Sequence, residues 1–159
     1  IAGELGCVER IIFAGRIPYA DLFLYSVDAD IAFSMVRPIS FNSEHCAGAS
    51  NKRFEAMASG TPQIANKGPG MRELIDLNGI GVCVNAESPA EIGATVAELL
   101  ADKSRRIKMS LKARSIHLSM FNYEHQFAYT LNTILAWHNS RNSIPNLLKN
   151  QKIAKNRNF

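Results

Sequence analysis

The sequence predicts an α/β domain built on a doubly wound parallel sheet, and three observations carry that prediction. Short apolar runs alternate with helix-periodic segments along the chain. The runs are apolar at almost every position, the pattern of strands covered on both faces. Glycine, asparagine or proline closes most elements, as in Gly15, Gly60 with Pro62, and Asn78 with Gly79.

Taken in order, the first residues read as the end of an amphipathic helix closed by Gly6. Arg10 to Ala14 is a β-branched and aromatic run stopped by Gly15, which predicts a buried strand. A short helix is predicted over Tyr19 to Ser26, and a second strand over Asp30 to Met35. The stretch from Val36 to Ser50 is too long for a plain connection, and loops of that length are usually functional. From Asn51 to Ser59, Phe54, Met57 and Ala58 have i, i+3, i+4 spacing, and Gly60 stops the helix. Gln63 to Asn66 predicts a third strand, Met71 to Leu77 a helix, and Gly81 to Asn85 a fourth strand. Ser88-Pro89-Ala90-Glu91 reads as a capping box with proline at the first helical position, opening a helix to about Ala101. Helices over about Lys103 to Ser119 and Tyr123 to His138 follow, the second capped by Asn122. Beyond Trp137 the Asn, Lys and Arg content with Pro145 predicts a weakly ordered tail. The expected organisation is a folded domain over residues 1–138 and a basic tail over 139–159.

Composition narrows the function classes. With 159 residues, 47% hydrophobic and 20% charged, the chain can bury one core, which excludes wholesale disorder or a repetitive fibre. The net charge of +4 is concentrated at the end, because residues 138–159 hold five basic side chains and no acidic one. The remaining 13 basic and 14 acidic residues cancel, so no nucleic-acid partner is expected. Contact of the basic end with membrane lipid stays open. Cys7, Cys46 and Cys83 form no C-x-x-C pair, which fits a reducing, cytoplasmic setting. No export signal and no apolar run of membrane-spanning length is visible.

Ligands of doubly wound sheets bind beyond the C-terminal strand ends, which directs attention to Gly15 to Pro18 and to Val36 to Ser50. In the second loop, small residues (Ala47, Gly48, Ala49, Ser50) run into a helix N-terminus, where free N–H groups and the macrodipole favour an anion such as a diphosphate. The same residues also read as a simple turn with Ser50 as helix cap. Lys52 and Glu55, three apart, read either as a surface ion pair or as a phosphate-binding cation beside a carboxylate that accepts from two vicinal ribose hydroxyls. Spacing alone does not choose between these. His45 and Cys46 lack a second pair at ligand spacing, so no metal and no cofactor is expected.

The segments Phe13-Ala14-Gly15-Arg16-Ile17-Pro18, Ala29-Asp30-Ile31-Ala32-Phe33, Lys52-Arg53-Phe54-Glu55-Ala56-Met57-Ala58-Ser59-Gly60-Thr61-Pro62 and Gly79-Ile80-Gly81-Val82-Cys83-Val84 together resemble the C-terminal half of group-1, retaining glycosyltransferases. The resemblance covers about residues 5–130. It implies the Rossmann-like C-terminal half of a GT-B fold, truncated at its N-terminus, that binds a nucleotide sugar, UDP- or GDP-linked, for transfer to an acceptor. By resemblance Glu55 holds the donor ribose, Ser50, Asn51 and Lys52 form the diphosphate site, and Gly15 and Arg16 lie against the nucleobase. Many members carry another glutamate eight positions before the ribose-binding one, and this sequence has Ala47 there. Glu44 is the nearby candidate to replace it; a solvated loop carboxylate is the plainer reading. Some members instead have an Asn-Lys pair before the helix, as Asn51 and Lys52 do. The acceptor is expected to be bound by an N-terminal domain that this sequence lacks, so the isolated chain is expected to be an incomplete catalyst. The rival functions are a nucleotide-sugar epimerase of similar fold and a non-catalytic nucleotide-binding domain.

Overall fold

A computed structural model describes residues 2–155, and the side chains of residues 2–141. The chain divides into two compact units, one running through Ser115 and one beginning at Ile116.

The first unit is built on a parallel sheet of three strands, β1 (Ala32–Ser34), β2 (Gln63–Asn66) and β3 (Gly81–Val84), in that spatial order. Ala32 pairs with Gln63, and Gln63 with Gly81. Helix α1 (Tyr19–Val27) precedes β1, and α2 (Phe41–Glu44) and α3 (Asn51–Ser59) separate β1 from β2. A π-helical turn (Arg72–Asp76) links β2 to β3, and α4 (Pro89–Ala101) and α5 (Lys103–Ile116) follow.

Strand alternation divides the core. On one face Ile64 and Val84 pack with Leu99 of α4 and Met109 of α5, flanked by Ile92 and Val96. On the other, Gln63 donates from Nε2 to the Arg53 carbonyl of α3 at 3.0 Å, and Cys83 packs its sulfur against the Met71 carbonyl. The sheet is thus wound on both faces, as its apolar strands predict.

Local chemistry explains the element ends. Helix α3 stops where Gly60 takes a φ of 72°, so that its N–H reaches Met57 O and the Thr61 N–H reaches Ala56 O. Ser88 caps α4 by accepting from the Glu91 N–H at 3.2 Å. The reciprocal half of the expected box is replaced: the Ser88 N–H bonds Asn85 O, and the Glu91 carboxylate bonds Lys67 Nζ at 2.8 Å.

Two expectations are overturned and two are met in altered geometry. Residues 10–14 do not form a strand; a 3-10 turn covers Val8–Arg10, and Ile12 and Phe13 are 90% and 87% exposed. A strand is held by its neighbours' main-chain groups, and among the described residues no ladder joins this run to the sheet, whose edge strand β1 pairs with β2 only. The helix expected over Met71 to Leu77 forms, but with π geometry over Arg72–Asp76, the Leu77 N–H bonding Arg72 O. The buried face of α3 is Arg53, Ala56 and Met57, not the Phe54, Met57 and Ala58 set of the apolar pattern. Finally, the helix expected to run to Ser119 is α-helical to Ile116 and π-helical from His117.

In the second unit a π turn (His117–Phe121) leads into α6 (Tyr123–Lys155). Asn122 caps α6, its Oδ1 accepting from the His125 N–H at 2.8 Å. The helix continues past His138, its expected end, through Pro145, which has no N–H to give the ladder. Residues 156–159 of the expected basic tail lie outside the described residues. Among the described residues no helix is long and apolar enough to cross a membrane.

Candidate functional site

The loop between β1 and α3 is held from several sides. Asn66, buried at the end of β2, accepts the Val36 N–H at 3.0 Å. Ser40 and Ser43 cap α2 reciprocally, Ser43 N–H to Ser40 Oγ at 3.2 Å and Ser40 N–H to Ser43 Oγ at 2.8 Å. The His45 ring stacks on Phe41 at 4.1 Å and places Nδ1 3.0 Å from the Phe41 carbonyl, while the Cys46 thiol donates to Ser43 O. Local bonds account for both side chains, and among the described residues no three metal-capable groups cluster. The glycines after β2 press on this loop: a Cβ on Gly68 would meet the Glu44 carbonyl at 3.2 Å, and one on Gly70 the Ala47 Cβ at 3.3 Å.

At the start of α3, Ser50 has extended backbone but its side chain makes no cap bond, contrary to the simple capping reading. Arg53 N–H bonds Ser50 O, and the N–H groups of Asn51 and Lys52 find no acceptor among the described residues. Two main-chain donors and a hydroxyl therefore stand at the positive end of the helix. Lys52 and Glu55 form no ion pair with each other; both line a cavity of 410 Å³ together with Leu22 and Tyr25 of α1 and Ala32 and Phe33 of β1. A cation and a carboxylate on one wall, with no bond between them, are free to take separate groups of a ligand.

Beneath this surface lies a residue that the apolar pattern passes over. Arg53 is fully buried at the third position of α3. Its Nη1 donates to Cys46 O at 2.6 Å and to Ala47 O at 3.3 Å, and its Nη2 to Ser34 O at 3.5 Å. The Nε atom has no hydrogen-bond partner. The signal in the sequence was available: positions 53, 56, 57 and 60 share one helical face, and a cation in the first turn opposes the macrodipole.

The other expected residues stand apart from this group. Gly15, with φ 67°, and Arg16 are both exposed, and no hydrogen bond or ion pair ties either to α3. Glu44 is exposed at the end of α2. At the far ends of β2 and β3, Lys67 holds the Glu91 carboxyl below its usual range, with the Asn85 main chain adding to the effect. Burial pushes the Cys83 thiol up to about 12, assisted by the Asp76 carboxylate, so this sulfur is no nucleophile at neutral pH.

Comparison with known proteins bears on the family and the fold. The family model described as Glycosyl transferases group 1 matches residues 2–102. A GDP-mannose-dependent alpha-(1-6)-phosphatidylinositol monomannoside mannosyltransferase of Mycobacterium tuberculosis is 28% identical over 114 residues, 72% of this chain and 29% of the relative. The Mycolicibacterium smegmatis protein of the same description is 27% identical over 124 residues, 78% of this chain and 32% of the relative. The chain thus spans about a third of the length of the curated relatives it matches. Among solved structures, sucrose-phosphate synthase from Thermosynechococcus elongatus superposes with a TM-score of 0.66 at 22% identity, over 85% of this chain and 33% of that one, which shows a shared fold. With the family model covering well over half its length, the chain belongs to the group 1 glycosyltransferases.

Proposed function

We propose that residues 1–138 bind the nucleotide-sugar donor of a retaining glycosyl transfer, with residues 139–159 as a basic extension. The observation that carries this reading is the start of α3: two free N–H groups, the Ser50 hydroxyl, and Lys52 and Glu55 on one cavity wall without partners of their own. Ser50, Asn51 and Lys52 take the diphosphate, and Glu55 accepts from the two ribose hydroxyls. Gly15 and Arg16 lie against the nucleobase, and Glu44 stands in for the carboxylate that Ala47 lacks. As the glycosidic bond to the donor breaks, the leaving diphosphate gains negative charge, and prepositioned donors at the helix end stabilise it by about 3 kcal/mol each. The acceptor is bound by a separate N-terminal domain of the whole protein. Between UDP and GDP, likeness to the two GDP-mannose-dependent mannosyltransferases favours GDP.

Calorimetric titration of the chain with GDP and UDP tests this. Wild type binds one of them, and Glu55→Gln keeps the fold while losing about 1.5–3 kcal/mol of affinity, the range for hydrogen bonds to a charged group. A 2′,3′-dideoxy nucleotide binds wild type weakly and is indifferent to the substitution, giving a coupled double-mutant cycle. Additive losses would remove the ribose assignment; no binding of either nucleotide would remove the site.

A further inference from the structure

We propose that Arg53 is a positioning residue that builds the anion-binding surface of the loop before α3, an inference that rests on the reading of this helix start as a diphosphate site. A buried guanidinium is costly, and here its partners are main-chain carbonyls and a thiol, with Nε left unbonded. An apolar side chain of similar volume would fill the same space without that cost. What the guanidinium does is fix carbonyls. Cys46 O accepts from both Arg53 Nη1 and the Ala49 N–H, and Ala47 O accepts from the same Nη1.

In a trans peptide the C=O and the following N–H point in opposite directions. Drawing the carbonyls of Cys46 and Ala47 inward to Arg53 therefore turns the N–H groups of Ala47 and Gly48 outward. Neither N–H finds an acceptor among the described residues. With those of Asn51 and Lys52 they make four main-chain donors around one helix end, a concave array suited to phosphate oxygens. The Arg53 charge beneath adds to the positive potential. Gly70 supports the arrangement from outside, since a Cβ there would press on Ala47. Through Ser34 O, the same guanidinium ties the loop to the end of β1, so that the donors are referenced to the sheet.

Two measurements test this. Amide NMR shifts of the wild-type chain titrated with inorganic pyrophosphate are expected to move at Ala47 and Gly48 as well as at Asn51 and Lys52. In Arg53→Met, affinity for GDP, UDP and pyrophosphate falls about tenfold or more, the worth of a lost charge-assisted bond, while guanosine and uridine bind as before. Arg53→Lys keeps the charge but lacks the planar fork, and does not restore the loss. Shifts at Asn51 and Lys52 alone, or an equal loss for nucleosides and diphosphates, would overturn the role of Arg53 and leave the diphosphate site standing. No shift at any of the four amides would overturn both. The wild-type titration decides the matter even if Arg53→Met does not fold.

Discussion

Gly81 of β3 lies against the main chain of Gln63 in β2 so closely that a Cβ would overlap the Gln63 carbonyl oxygen and lie 2.9 Å from Ile75 Cγ2. The rigid neighbour is backbone, so nothing can swing aside. Gly81→Ala is expected to cost about 3 kcal/mol, the upper part of the overpacking range. A urea midpoint within experimental error of wild type would show that the strands separate there at no cost.

The protonation of Cys83 predicts an alkaline weakness. In the folded chain its thiol keeps its proton to about 12, whereas the unfolded thiol ionises near 9.0. The folded form therefore holds a proton that the unfolded form has released. Stability from this source is intact below about pH 9 and falls by about 1.4 kcal/mol per pH unit as pH rises toward 12. Urea titrations of wild type and Cys83→Ala at pH 8 and 10.5 isolate the contribution: the difference between the two proteins is expected to shrink at high pH. Iodoacetamide at pH 8 is expected to label Cys83 only after unfolding. Equal pH slopes or ready labelling of the native chain would contradict the assignment.

Arg106 ends α4 from the next helix. Its Nη1 donates to Leu99 O and Leu100 O, both at 2.6 Å, and its Nη2 to Asp30 Oδ1 at 3.1 Å. The two carbonyls are orphans of the last helical turn, where a cation also suits the macrodipole. Arg106→Met should cost about 2 kcal/mol, mostly from those carbonyls, and Asp30→Asn should cost far less because that carboxylate is largely exposed. Equal effects of the two substitutions in thermal denaturation would place the stabilisation in the ion pair instead.

The cap of α4 separates two residues that the sequence joins. Ser88→Ala is expected to lose about 1 kcal/mol. Glu91→Gln leaves that cap in place, because the carboxylate is engaged with Lys67. Denaturation of the double variant should give the sum of the single effects. Strong coupling between positions 88 and 91 would restore the reciprocal box.

Much of this was legible from residues alone, for local reasons. The limits of α3 and β2 follow from Gly60, Pro62 and the apolar run between Gln63 and Asn66, and the cap of α4 from Ser88 and Pro89. The run at 10–14 shows where local pattern stops. Its composition is that of a strand, but a strand exists only beside another, and pairing is not written in the run itself. For the site, the pattern selects Lys52 and Glu55 correctly as neighbours on one face but misses Arg53, because hydrophobic periodicity assigns charge to the outside. Gly15 and Arg16 follow from an expected strand end and from likeness to a family; that strand does not form, and no hydrogen bond or ion pair ties either residue to α3.

Helix α3 carries both Met57, which is fully buried, and the free amides at its first turn, on a rod of nine residues. Occupancy at one end must then be felt as melting temperature at the other. For any anion that seats there and not on the unfolded chain, the gain is about 2.7 kcal/mol at a hundred times its Kd. A panel of nucleotides and sugar phosphates can thus be ranked by thermal shift alone, without an acceptor and without turnover.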